Sequence, residues 1–124
     1  MRKRIGSAAV LSAAALLALA VLSLVPGLYK VHFDFMTSQE EHILAHFVAA
    51  AIVTATLRRR ANAVATALML VFYAGILEIG QNFVPGRDPE IEDLLASSLG
   101  VILGVGSTAF LLKLKARLHS SGNL

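Results

Sequence analysis

Four apolar runs dominate this chain: Ile5–Val25, Glu41–Leu57, Ala61–Ile79 and Leu94–Leu112. A helix needs about 20 residues to cross a hydrocarbon core of ~30 Å. The first run meets that length, and the others reach it by borrowing a few flanking residues. In lipid every backbone polar group must be satisfied internally, which leaves helices and closed barrels. Run length and Leu/Ala/Val content specify helices. A soluble core cannot absorb these runs. Apolar residues make up 56% of the 124 residues and charged residues 15%, against roughly 45–50% and about 25% in soluble domains. So small a globule has too little interior for the excess. The expectation is an all-α, integral membrane four-helix bundle, one domain over residues 1–124. Its spans are expected near 5–25, 41–57, 61–79 and 90–112, with the lipid bilayer as partner.

The basic residues orient the spans. Arg2, Lys3 and Arg4 precede the first, Arg58, Arg59 and Arg60 join the second to the third, and Lys113, Lys115 and Arg117 follow the fourth. Only Lys30 and Arg87 fall on the other side. By the positive-inside rule both termini are cytoplasmic, which makes this a multi-pass protein of the inner (cell) membrane. The pI near 9.7 is then a topology signal and not a nucleic-acid footprint. Ala18-Leu19-Ala20 also resembles a signal-peptide cleavage site. The apolar run continues through Val25 before Pro26-Gly27 ends it, so a retained anchor is expected. Arg58–Arg60 is short enough to predict a tight antiparallel hairpin of the second and third spans. The chain has no cysteine, which excludes disulfides and thiolate chemistry. No cofactor or metal site is expected.

The polar residues concentrate in Leu77–Asp93, where six of seventeen residues are charged. Glu78 lies eighteen residues after Arg60, or about 27 Å along a helix, close to the outer headgroup boundary. Gln81 shares its face if the helix continues that far. Pro85-Gly86 favours a tight turn that can fold Arg87 back towards Glu78. An Arg so held either forms a structural ion pair or clamps a carboxylate or phosphate through two parallel hydrogen bonds. Asp88-Pro89 reads as a helix N-cap and first position. Asp93, Ser97, Gly100 and Gly104 then recur on one helix face, and the small residues suit close helix packing in lipid. On the second span His42 and His46 also share a face, without a His-Glu-x-x-His zinc pattern. His46 reads most simply as a packing residue. His42 sits at the outer mouth, at the depth expected for Glu78 and Asp93.

These residues resemble the VanZ-like membrane protein family. Glu78-x-x-Gln81, Pro85-Gly86-Arg87, Asp93 and Gly100 are similar to its second signature. His42 to Phe47 is similar to half of its first, with His46 where Tyr is common. Ser38 and Gln39 stand in place of that signature's Asp-Lys, and Ser97 in place of a frequent Asn. The resemblance covers roughly Glu40 to Gly104. It implies a small multi-pass bacterial membrane protein, from a family whose namesake is associated with low-level teicoplanin resistance. It implies no particular reaction.

Three functions follow as alternatives. The first is binding or modulation of an envelope lipid or an anionic, cell-wall-linked precursor. Arg87 would contact the anion, and Glu78, Gln81 and Asp93 would orient it. The second is a small intramembrane enzyme on a lipid-linked substrate, with His42 as base and Glu78 or Asp93 as acid or orienter. The third is a structural or partner-binding protein whose polar cluster only locks helices together. Homo-oligomerisation is compatible with each.

Overall fold

A computed structural model describes residues 2–27, 32–57 and 62–122. Lys30 and Arg58–Arg60, which carry part of the charge asymmetry and the expected hairpin turn, lie outside the described residues. The chain forms α1 (Arg2–Leu24), α2 (Ser38–Leu57), α3 (Ala63–Gln81) and α4 (Ile91–Ser121), and all four are long and apolar enough to cross a membrane. Among the described residues there are no strands. The protein is an all-α four-helix membrane bundle.

Local chemistry sets the helix starts. Thr37 and Glu40 form a reciprocal capping box before α2: Glu40 N–H donates to Thr37 Oγ1 at 3.2 Å, and Thr37 N–H donates to Glu40 Oε2 at 2.8 Å. Such a box satisfies two otherwise orphaned donors, so α2 begins at Ser38 rather than at Glu41. Asn62 caps α3 by accepting from Val64 N–H at 2.8 Å. The start of α4 departs from the Asp88-Pro89 expectation. Its N-cap is Glu90, in extended conformation and without a side-chain cap of its own. The Glu90 N–H is held instead by the carboxylate of Glu78, which keeps Glu90 extended and moves the helix start to Ile91.

Helix packing follows the small residues. α2 packs most extensively on α4; α1 lies against α2, and α3 against α4 and α1. A Cβ at Gly100 would fall on the Ile43 carbonyl oxygen, and one at Gly104 would come within 2.6 Å of Phe47 O and 2.8 Å of the Ala50 Cβ. The glycines let two backbones approach as close packing in lipid requires. α2 and α3 are adjacent in sequence but touch only slightly, because α4 presents the flatter surface and takes the place beside α2. Ala50, Val53, Leu70, Val101 and Val105 form the central core, and Leu19, Ala49 and Leu77 a smaller one. Bulky residues such as Leu68, Met69 and Phe72 are about two-thirds exposed or more, as expected of a surface whose solvent is lipid. α4 is the exception in length. Its 31 residues span about 46 Å at 1.5 Å per residue, so it outruns the ~30 Å hydrocarbon core.

The two long connections meet at one end of the bundle. Gly27 N–H donates to Pro85 O at 3.0 Å, and a Cβ on Gly27 would overlap Gly86 O. Gly86 has φ +74°, a conformation that glycine adopts without steric cost. The Pro-Gly turn therefore lies directly on the chain leaving α1.

Candidate functional site

The end of the bundle with the long connections also gathers the buried polar side chains. His46, Glu78, Gln81, Asp93, Ser97 and Ser23 are all at least about nine-tenths buried. They fall into two linked groups.

The first group joins α2 to α4. His42 Nδ1 lies 3.1 Å from Ser97 Oγ, and His42 Nε2 lies 3.5 Å from Asp93 Oδ2. A carboxylate only accepts hydrogen bonds, so the consistent arrangement has the ring proton on Nε2 facing Asp93. The Ser97 hydroxyl then donates to Nδ1. Asp93 and Ser97 are one helical turn apart, which lets one imidazole meet both. His46 stacks beneath, its ring 6.0 Å from that of His42, and its Nδ1–H donates to His42 O at 2.9 Å. His46 Nε2 and Asp93 Oδ1 are buried without a hydrogen-bond partner among the described residues.

The second group fastens α3 and the Pro-Gly turn to the end of α1. Gln81 Nε2 donates to Ser23 O at 3.0 Å. Arg87 donates from Nε to Val25 O at 2.9 Å and from Nη2 to Leu22 O at 2.8 Å. The guanidinium thus serves the orphan carbonyls at the C-terminus of α1, where a cation also complements the helix dipole. The expected ion pair with Glu78 does not form at contact distance among the described residues. Arg87 is taken up by α1, and Glu78 Oε1 accepts the Glu90 N–H at 3.0 Å. The charges still act on one another. Burial lowers the Arg87 pKa, and the carboxylates of Glu78 and Asp93 act to raise it again. With five N–H donors on its fork, Arg87 keeps three beyond its two bonds to α1.

Between these groups lies a cavity of about 170 Å³, lined by Leu19, Leu22, Ser23, Phe33, Glu41, His42, Ala45, His46, Gln81 and Arg87. The structure thus places His42, Gln81 and Arg87 on one cavity wall. Glu78 and Asp93 do not line it; they stand behind it, holding the start of α4 and the His42 ring. His46, read from sequence as a packing residue, lines the cavity as well. Glu41 closes the near side, its Oε1 accepting Phe33 N–H at 2.6 Å and lying 2.8 Å from His32 Nδ1. Among the described residues no three metal-ligating side chains converge.

The residues that meet here come from all four helices and the connection that carries Arg87. The VanZ/LLP1 family profile matches residues 12–112. The chain belongs to the VanZ/LLP1 family. No curated protein and no solved structure is significantly similar to it. In this VanZ/LLP1 protein, the spaced residues that carried the resemblance have separate physical duties. Glu78 caps α4, Gln81 and Arg87 close α1, Gly86 permits the turn, Asp93 faces His42, and Gly100 admits α2. Four groups escaped the sequence reading: the carbonyls of Leu22, Ser23 and Val25, and the Gly27 contact. Backbone acceptors carry no residue-type signal. The Thr37–Glu40 capping box could have been found from its Thr-x-x-Glu spacing.

Proposed function

We propose that this VanZ/LLP1 protein binds an anionic ligand of the cell envelope in the cavity beside Arg87. The observation that carries the reading is the guanidinium itself. It is half-buried, oriented by two α1 carbonyls, and lines a cavity with three N–H donors to spare. Such a preoriented fork suits phosphate or carboxylate oxygens. Gln81, Ser23, the two histidines and Glu41 supply the remaining polar wall, with the Glu41 carboxylate engaged by Phe33 N–H and His32, while Glu78 and Asp93 hold the frame. The positive-inside pattern supports an outward-facing cavity and cytoplasmic termini in the inner membrane. The envelope lipids and lipid-linked precursors are then the anions within reach.

The enzymatic alternative is weaker on the same geometry. Both nitrogens of His42 face protein groups, so acting as a base would require it to give up one of them. A general base needs a nitrogen within reach of the substrate proton.

The test is lipid retention by protein reconstituted in phosphatidylcholine nanodiscs doped with phosphatidylglycerol, read by native mass spectrometry. Wild type is expected to retain the anionic lipid preferentially. Arg87→Gln should lose the preference and Arg87→Lys keep part of it, with thermal unfolding confirming that both are folded. A folded Arg87→Gln protein with unchanged preference overturns the reading. The proposal extends to teicoplanin: expression of wild type, and not of Arg87→Gln, is expected to raise the inhibitory concentration.

A further inference from the structure

A second hollow adjoins the polar cavity. It is an apolar groove of about 320 Å³ between α1 and α2, walled by Ala15, Ala18, Leu44, Val48, Ala49 and Ile52. Leu19, Leu22, Phe33, Glu41 and Ala45 line both hollows, so the two are adjacent. The groove exists because α1 and α2 face each other with alanines and lack the glycines that bring α2 and α4 together. Beyond Ile52, at the end remote from the polar cavity, the hydroxyls of Ser12 and Thr56 hydrogen-bond across the two helices.

We propose that this groove holds one hydrocarbon chain of the ligand, so that the site is loaded sideways from the bilayer by an anionic phospholipid. The inference rests on the anion-binding reading above and names its substrate class. Three observations favour a lipid chain over a soluble anion or a partner protein. Apart from Phe33 and Glu41 at its polar end, the groove is lined by apolar residues of α1 and α2, segments apolar enough to cross the membrane, where the surrounding solvent is hydrocarbon. Along α2 it runs from Ile52 to Glu41, eleven residues or about 16 Å, close to half of a ~30 Å core and so to one leaflet. Its end nearer the long connections adjoins the polar cavity of Arg87, His42 and Gln81, where a headgroup attached to that chain would sit. An amphiphile placed this way buries its tail beside alanine and leucine and brings its phosphate to the spare donors of Arg87.

The chain has no tryptophan, which makes a clean experiment possible. Leu44→Trp puts a lone fluorophore in the groove, and Phe72→Trp puts one on the lipid-exposed side of α3. Each is reconstituted with phosphatidylglycerol or phosphatidylcholine brominated on one chain, at equal mole fraction. Brominated phosphatidylglycerol should quench Leu44→Trp more strongly than brominated phosphatidylcholine does, while Phe72→Trp is quenched equally by both. Ala18→Phe, which fills the groove without touching the polar wall, should retain phosphatidylglycerol about tenfold more weakly, as ~1.4 kcal/mol of lost binding would produce. Equal quenching of Leu44→Trp by the two lipids means bulk lipid only and overturns the proposal. Full retention by Ala18→Phe together with intact Arg87 dependence also overturns it and leaves the anion site standing. Loss of both the quenching preference and the Arg87 dependence removes the anion site, and this proposal with it.

Discussion

Glu78 shows how a carboxyl can be tolerated near the membrane boundary. It accepts the N–H of Glu90, the N-cap of α4, and it does so from a different helix. Acidic groups at helix N-termini are favoured by both the free N–H groups and the dipole. Glu78→Gln keeps an acceptor oxygen and should cost less than about 1 kcal/mol, whereas Glu78→Ala leaves the donor bare and should cost about 1–2 kcal/mol. Thermal unfolding midpoints in detergent would rank the two. Arg87→Ala removes two hydrogen bonds from the end of α1, and a loss of roughly 1–3 kcal/mol is expected by the same assay. The sequence reading paired these two residues with each other, and the structure gives each a different partner. Glu78 and Arg87 read as each other's counter-ions because charge is visible in a sequence. Their actual partners, an amide N–H and two carbonyls, are common to every residue.

Between α2 and α4 the contact is made by what is absent. Gly100→Ala or Gly104→Ala would drive a methyl into the backbone of α2, and overpacking of that kind typically costs 1–3 kcal/mol or more. Gly106 lies on the same helix with nothing near a would-be Cβ. Gly106→Ala should therefore be neutral or slightly stabilising, and accumulation plus unfolding midpoint would separate the three. The Asp93–Gly104 stripe was legible because spacing of four, three and four fixes a face whatever the helix packs on. Which helix it packs on was not legible. A short connection argued for α2 beside α3, and only the close fit of Gly100 against Ile43 and Gly104 against Phe47 shows why α4 intervenes.

At the level of the whole molecule, four apolar runs and the segregation of basic residues already implied a helical membrane bundle. The chain carries no cysteine, so single-cysteine variants report topology without background. In intact cells, Asp34→Cys and Asp88→Cys are expected to react with a membrane-impermeant maleimide, and Ser121→Cys to react only after lysis. Labelling of Ser121→Cys in intact cells would reverse the orientation and move the polar cavity to the cytoplasmic side. The helix bearing Ser121 has one more use. At 13.1 kDa, the protein offers little for single-particle imaging to align. Because α4 runs unbroken past the hydrocarbon core to Ser121, a helical partner fused in register there would extend as a rigid arm. That arm would serve as a fiducial mark from which the cavity, with and without lipid, could be located by direct imaging.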